Sequence, residues 1–320
     1  MQIGVFIALY RNLSFEAALD RAAAAGVTAV EIGSGSFPDS PHCPVAALLE
    51  SEDAREAYWQ AVRSRGLTIS AFSCHNNPIH PDPEVAERDD MVLRKNIQLA
   101  NKMGVPVVVT FSGLPGGAPG DRTPNWVTCP WPTIFSEVLD YQWNEVAIPY
   151  WREINQYAAD HGIKIALEMH PGFLVYNVHT MLRLREAAGP QIGCNFDPSH
   201  LFWNGVDPVA AIRRLGEAIF HVHGKDTYVD PYNTAVNGCM DHKPYRGVAE
   251  RSWGFRTIGY GHDTKVWKDI MSALRLIGYD YVVSIEHEDP LMTSDEGLAK
   301  AIDALKQAYI VDQPGDMFWV

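Results

Sequence analysis

The chain has 320 residues, 47% of them apolar and 20% charged, with a formal net charge of -13. That balance belongs to a folded chain with a large core, and its acidity argues against general affinity for nucleic acid or anionic membrane, which both require a basic face. Five cysteines (Cys43, Cys74, Cys129, Cys194 and Cys239) without a CxxC pair predict neither a disulfide framework nor a thiolate metal site, and fit a reducing compartment.

The first apolar run, "QIGVFIAL" (2–9), is not led by a basic segment, and no stretch of about 18 apolar residues follows anywhere, so a soluble cytoplasmic protein is expected. Next comes a helical pattern, "SFEAALDRAAAAG" (14–26), with Ser14 placed as N-cap and Gly26 as C-cap. Further β-branched or apolar runs follow: "TAVEIG" (28–33), "LTISAFS" (67–73), "VPVVVTF" (105–111), "IKIALEM" (163–169), "QIGCNF" (191–196), "AIFHVHG" (218–224) and "DYVVSIEHE" (280–288). "RSRG", "NKMG", "ADHG" and "RLIG" each put a glycine where a left-handed turn would feed the next strand.

Eight strand-helix units of this regularity predict one (β/α)8 TIM barrel spanning residues 1–320, with a doubly wound sheet as the weaker alternative. Two segments, about 112–146 and about 225–262, exceed ordinary βα loops. Both follow strands, so both are expected over the C-terminal mouth where barrel active sites are built, as packed lids or partner surfaces.

The last four strand runs end in "LEMHP", "NFDPSH", "HVHGKD" and "SIEHED". A barrel brings consecutive strand ends round one rim, where Glu168, Asp197, His223 and Glu286 would converge. Taken singly, each acid is as well explained as a helix cap or a solvated loop residue. Three adjacent carboxylates repel one another unless a cation joins them. Such an oxygen-rich set with one imidazole suits Mn2+, Mg2+ or Co2+. His221 shares a face with His223 and is either a ligand or a support for one. Glu168 and His170, two apart, would share a strand face. No clustered Gly-rich and basic stretch marks a phosphate cradle, so a phosphorylated ligand is disfavoured.

These motifs resemble the xylose-isomerase-like family of sugar isomerases and epimerases along essentially the whole chain. The resemblance implies a (β/α)8 barrel holding one divalent metal, usually Mn2+, through Glu168, Asp197, His223 and Glu286. It also implies that His200 contacts substrate and that Glu168 and Glu286 form the proton-transfer pair. Four features depart from a minimal keto-sugar epimerase: His170; the segment "SCHNNPIHP" with His75, Asn76 and His80; the long aromatic insertions; and "WGFRTIGYGH" with Arg256 and His262.

This decorated form is similar to the branch acting on 3-oxo-glycosides, especially the large subunit of bacterial C-glycoside deglycosidases. That likeness implies a small β-rich second subunit, an oligomer, and an oxo-sugar or oxo-glycoside substrate bound in part by His200, His75, Asn76 and Arg256. His170 would remove the proton next to the ketone and the C1 substituent would leave, making the protein a metal-dependent lyase. The alternatives are an isomerase or 3-epimerase of a keto-sugar or inosose, and a non-catalytic sugar-binding or scaffolding subunit.

Overall fold

The computed structural model of the chain describes residues 1–37, 40–312 and 315–319. Among the described residues ten strands form: β1 (Gln2–Phe6), β2 (Ala29–Gly33), β3 (Thr68–Ser73), β4 (Val107–Thr110), β5 (Lys164–Glu168), β6 (Ile192–Phe196), β7 (Ile219–Gly224), β8 (Asp226–Val229), β9 (Trp253–Arg256) and β10 (Val282–Ile285). Eight of them pair in parallel and close a barrel in the order β1-β10-β7-β6-β5-β4-β3-β2, with helices in the connections. The eight expected runs are these eight strands. β-branched residues suit them because strands covered by helices are buried on both faces, as β4 (VVVT) is along its whole length.

Local chemistry sets the punctuation. Ser14 accepts a hydrogen bond from the Ala17 N–H and opens the helix Phe15–Ala25. Gly66, Gly104, Gly162 and Gly278, the four glycines expected before strands, have φ of 70°, 65°, 67° and 80°. A side chain would strain the backbone at each. The first and last strands are shorter than their apolar runs: β1 gives way to a 3-10 turn at Ile7–Tyr10, and β10 stops at Ile285. Glu286 is thereby placed just beyond the barrel, at its rim.

Ala71, Val107, Val109, Ala166 and Phe220 pack into a small apolar cluster of their own. Ala71 and Ala166 lie two residues before Ser73 and Glu168, on the same strand faces, so this cluster forms a floor beneath the polar layer. The first insertion is irregular only as far as Thr133; Ile134–Asp140, Tyr141–Ala147 and Ile148–Asp160 then run as consecutive helical segments. In the second, β8 and β9 form an antiparallel ribbon. Asp226 fastens the turn after the ribbon by accepting from the N–H groups of Gly259, Gly261 and His262 and from the Trp267 indole. Among the described residues no helix is long and apolar enough to cross a membrane.

Candidate metal and substrate site

Glu168 ends β5, Asp197 follows β6, His223 lies in β7 and Glu286 follows β10, so four strands deliver four candidate ligands to one rim. One ligand atom from each lies within 4.8 Å of all the others. His223 Nδ1 is 3.3 Å from Glu168 Oε2, 3.2 Å from Glu286 Oε2 and 4.0 Å from Asp197 Oδ2. His223 Nδ1 is buried without a hydrogen-bond partner, whereas the equally buried Asp197 Oδ2 is met by Lys225 Nζ at 3.1 Å and His200 Nε2 at 3.3 Å as ion pairs only. Buried polar atoms are ordinarily satisfied, and an orphaned imidazole nitrogen facing three carboxylates fits a divalent cation. Burial disfavours charge on His223, but Glu31, Glu286 and Glu168 hold its pKa well above the ordinary histidine value. A divalent cation held here would take the place of that proton at Nδ1.

Glu168 is the most connected of the four. Its Oε2 accepts from His75 Nε2 and Asn195 Nδ2, each at 3.1 Å, and its Oε1 accepts from His200 Nε2 at 3.1 Å. Burial alone would raise its pKa, but the charge on His223 and these imidazole donors hold it well below the usual carboxylate range.

His170 is not on the strand. β5 stops at Glu168, and His170 sits in the following turn, where the Phe173 N–H bonds to its carbonyl. The shared-face expectation is therefore corrected: the turn, not the pleat, brings the two together. A ligand-type atom of His170 still lies within 4.8 Å of one from Glu168 and one from His200. Its Nδ1 is 2.7 Å from the Pro171 carbonyl, which only accepts, so Nδ1 carries the hydrogen and Nε2 keeps its lone pair. Burial first, and then His200, push its pKa down to about 3. The ring is neutral.

The remaining expected substrate residues divide. His200 is fully buried, with Nε2 also 3.3 Å from Asp197 Oδ2 and Nδ1 unpartnered, and it lines a cavity described below. His75 acts on Glu168, as described. Asn76 departs from expectation: its amide N–H donates to the Asp89 carbonyl and its oxygen accepts from Thr110, so it is consumed in anchoring its loop. Arg256 pairs its Nε with Asp289 at 3.0 Å and lays its guanidinium over Tyr260. His80 accepts from the Asp82 N–H, and His262 bonds to Asp226. His221 bonds to Asn195 Oδ1 at 3.0 Å and faces Ser70 at 3.4 Å, which makes it a support.

Two residues escaped the sequence reading. Lys225 is buried, with Nζ 2.6 Å from Glu286 Oε2, 3.0 Å from Glu288 Oε2 and 3.1 Å from Asp197 Oδ2. Burial opposes its charge, yet Asp197, Glu286 and Glu288 hold its pKa well above the ordinary lysine value. Its position two after His223 in "HVHGKD" was the available signal. Glu31, in the wholly buried "AVEIG", stands behind His223, with both carboxylate oxygens 3.1 Å from Nε2. A single acid inside an apolar strand was the only local hint.

Two cavities adjoin the rim. One of about 360 Å³ is lined in part by Trp126, Tyr176, His200 and Trp203. The other, about 330 Å³, is lined in part by Trp126, His170, Trp203, Tyr245 and Trp253. Trp203 and Trp253 stack with centroids 4.6 Å apart and planes 5° apart, while the indole N–H groups of Trp126 and Trp203 have no partner. A larger cavity of about 490 Å³ lies among the strand beginnings, lined in part by Pro106, Lys164, Ile219 and Tyr281, away from the cluster.

A closed parallel barrel carrying this cluster at the C-terminal ends of its strands defines a (β/α)8 barrel with a metal-type site at its mouth. The chain belongs to the xylose isomerase-like TIM barrel family, whose profile matches residues 19–308. It is 41% identical over 299 residues to the uncharacterized protein YfiH of Bacillus subtilis (strain 168), covering 92% of this chain and 95% of that one. It is also 22% identical to an inosose dehydratase of Geobacillus thermodenitrificans, covering 92% and 90%. Among solved structures it resembles a D-tagatose 3-epimerase-like protein, with a TM-score of 0.63, 22% identity and coverage of 96% and 97%. It likewise resembles the probable 3-DHS dehydratase AsbF of Bacillus anthracis, with a TM-score of 0.66, 19% identity and coverage of 96% and 99%. The two structural likenesses establish the fold.

Proposed function

We propose that the protein is a divalent-metal-dependent lyase that removes the proton next to the ketone of an oxo-sugar and expels the β-substituent, as in deglycosylation of a 3-oxo-glycoside, C-glycosides included. The observation that carries this reading is the neutral His170 beside Glu168, its Nδ1–H tied to the Pro171 carbonyl and its Nε2 left as a base. Glu168, Asp197, His223 and Glu286 would hold the metal, with Mn2+ ahead of Mg2+ or Co2+. When bound, such an ion supplies Lewis-acid polarisation of a substrate carbonyl.

The chain's own groups do the rest. His170 Nε2 takes the proton from C2, the electron pair left there becomes the C1–C2 double bond, and the C1 substituent departs with its bonding pair. His75 and His200 brace Glu168, keeping it a carboxylate and relieving it of the base role. The cavity beside His170, lined in part by Trp126, Trp203 and Trp253, gives the leaving group an apolar place. A relative named inosose dehydratase is in keeping with elimination, since dehydration expels a β-hydroxyl.

A second reading, isomerisation or 3-epimerisation of a free keto-sugar or inosose, is favoured by one observation: Glu168 and Glu286 both lie near His223 Nδ1, at 3.3 and 3.2 Å, as a pair of carboxylates able to serve two substrate faces. Incubation of the Mn2+-loaded protein in deuterated water with a 3-oxo-glycoside and, separately, with free keto-sugars separates the two. Release of the aglycone supports elimination; deuterium in a recovered epimer with no aglycone release supports the second reading and overturns the first.

A further inference from the structure

Glu31 lies in the barrel interior on β2, completely buried, and meets the rim cluster at His223. Its carboxylate is surrounded by groups that must donate, because a carboxylate only accepts. Ser284 Oγ donates to Oε2 at 2.7 Å, Ser73 Oγ donates to Oε1, and His223 Nε2 sits 3.1 Å from both oxygens. His221 is the other imidazole nearby; its Nε2 is 4.0 Å from Glu31 Oε2, and Asn195 and Ser70 are its own partners. The hydrogen of a neutral His223 is thus drawn to Nε2, which leaves the Nδ1 lone pair facing Glu168, Asp197 and Glu286.

We infer that Glu31 is a positioning residue that fixes the His223 tautomer, and so makes His223 Nδ1 the nitrogen ligand of a divalent cation. This rests on the assignment of Glu168, Asp197, His223 and Glu286 as metal ligands. An imidazole ligand whose far nitrogen donates to a carboxylate is held in place and made more basic, and loss of such a carboxylate typically weakens metal binding. The substitution Glu31→Gln keeps the shape but replaces the charged acceptor by a neutral amide with one donor and one acceptor within reach of Nε2, which weakens the hold on the Nε2 hydrogen.

The test is Mn2+ and Co2+ titration calorimetry of the full chain, wild type against Glu31→Gln, with the visible spectrum of the Co2+ forms. The expected result is an affinity lowered by about 10- to 100-fold and an altered Co2+ spectrum. Unchanged affinity and spectrum would overturn the role of Glu31 while leaving the metal site standing. A wild-type protein that binds neither ion would instead remove the metal assignment, and this inference with it. Should Glu31→Gln not fold, nitrogen-15 NMR of the wild-type histidines with Mg2+ bound decides between the tautomers: hydrogen on His223 Nε2 supports the inference, and hydrogen on Nδ1 overturns it.

Discussion

Lys225 is the cation already built into the acidic cluster, so Lys225→Met removes the charge while keeping most of the apolar stem. Its Nζ lies within 3.1 Å of Asp197, Glu286 and Glu288, and only Glu288 is substantially exposed, at 42%. Breaking a buried ion pair by removing one partner costs about 3–5 kcal/mol, because the remaining charge is left without compensation. For a chain of 320 residues that corresponds to a fall in Tm of roughly 5–7 °C in a chelator-treated sample. Loss of a positive charge beside Asp197 Oδ2 and Glu286 Oε2 should also strengthen divalent-ion binding at those atoms, by Coulomb's law. Scanning calorimetry with chelator and with saturating Mn2+ therefore has two readouts: a lower Tm for the metal-free variant, and a larger rise on adding Mn2+ than the wild type shows. An unchanged metal-free Tm, or a smaller rise with Mn2+, would refute the view that lysine and metal share these carboxylates.

His170→Ala should lower the rate of deuterium exchange at C2 of a 3-oxo-glycoside by about 10²- to 10⁴-fold, the range for a general base, without changing Mn2+ affinity measured by calorimetry. His170 also sets a pH dependence: its folded pKa is pushed down to about 3 from the ordinary 6.5, so between those values the unfolded chain binds the proton and the folded one does not. Stability is therefore lost as pH falls from about 6.5 towards 3, and His170→Gln should flatten that loss in urea titrations across the window. A slope identical to the wild type would contradict the buried, neutral imidazole. Glu286→Gln removes one of the charged oxygens shared with His223 and Lys225, and should abolish both retained metal, by elemental analysis, and turnover.

Fold was far more legible than site. Repeated β-branched runs, and glycines such as Gly104 and Gly162 that only turn cheaply at positive φ, are local signals, and locality is what a sequence displays. The four rim residues were readable because a barrel converts order along the chain into order round a ring. Glu31 was not, because its partner His223 lies 192 residues away and nothing beside it in β2 marks the contact. Lys225 acquires its role only from acids on other strands. Asn76 has a suitable side chain on a rim loop, yet the Asp89 carbonyl and Thr110 claim it, and such competition between polar partners is decided in three dimensions. His170 reaches the site for a different reason from the one alternation suggested, since β5 ends two residues before it.

The central claim is metal-dependent proton removal from the carbon beside a sugar ketone, and its most direct test follows a 3-oxo-glycoside in deuterated water with chelator-treated protein, before and after Mn2+ is restored. Aglycone release and loss of the C2 hydrogen are expected to appear together, only with the metal, and to vanish in His170→Ala. Equal activity without metal, or aglycone release with the C2 hydrogen retained, would contradict that claim.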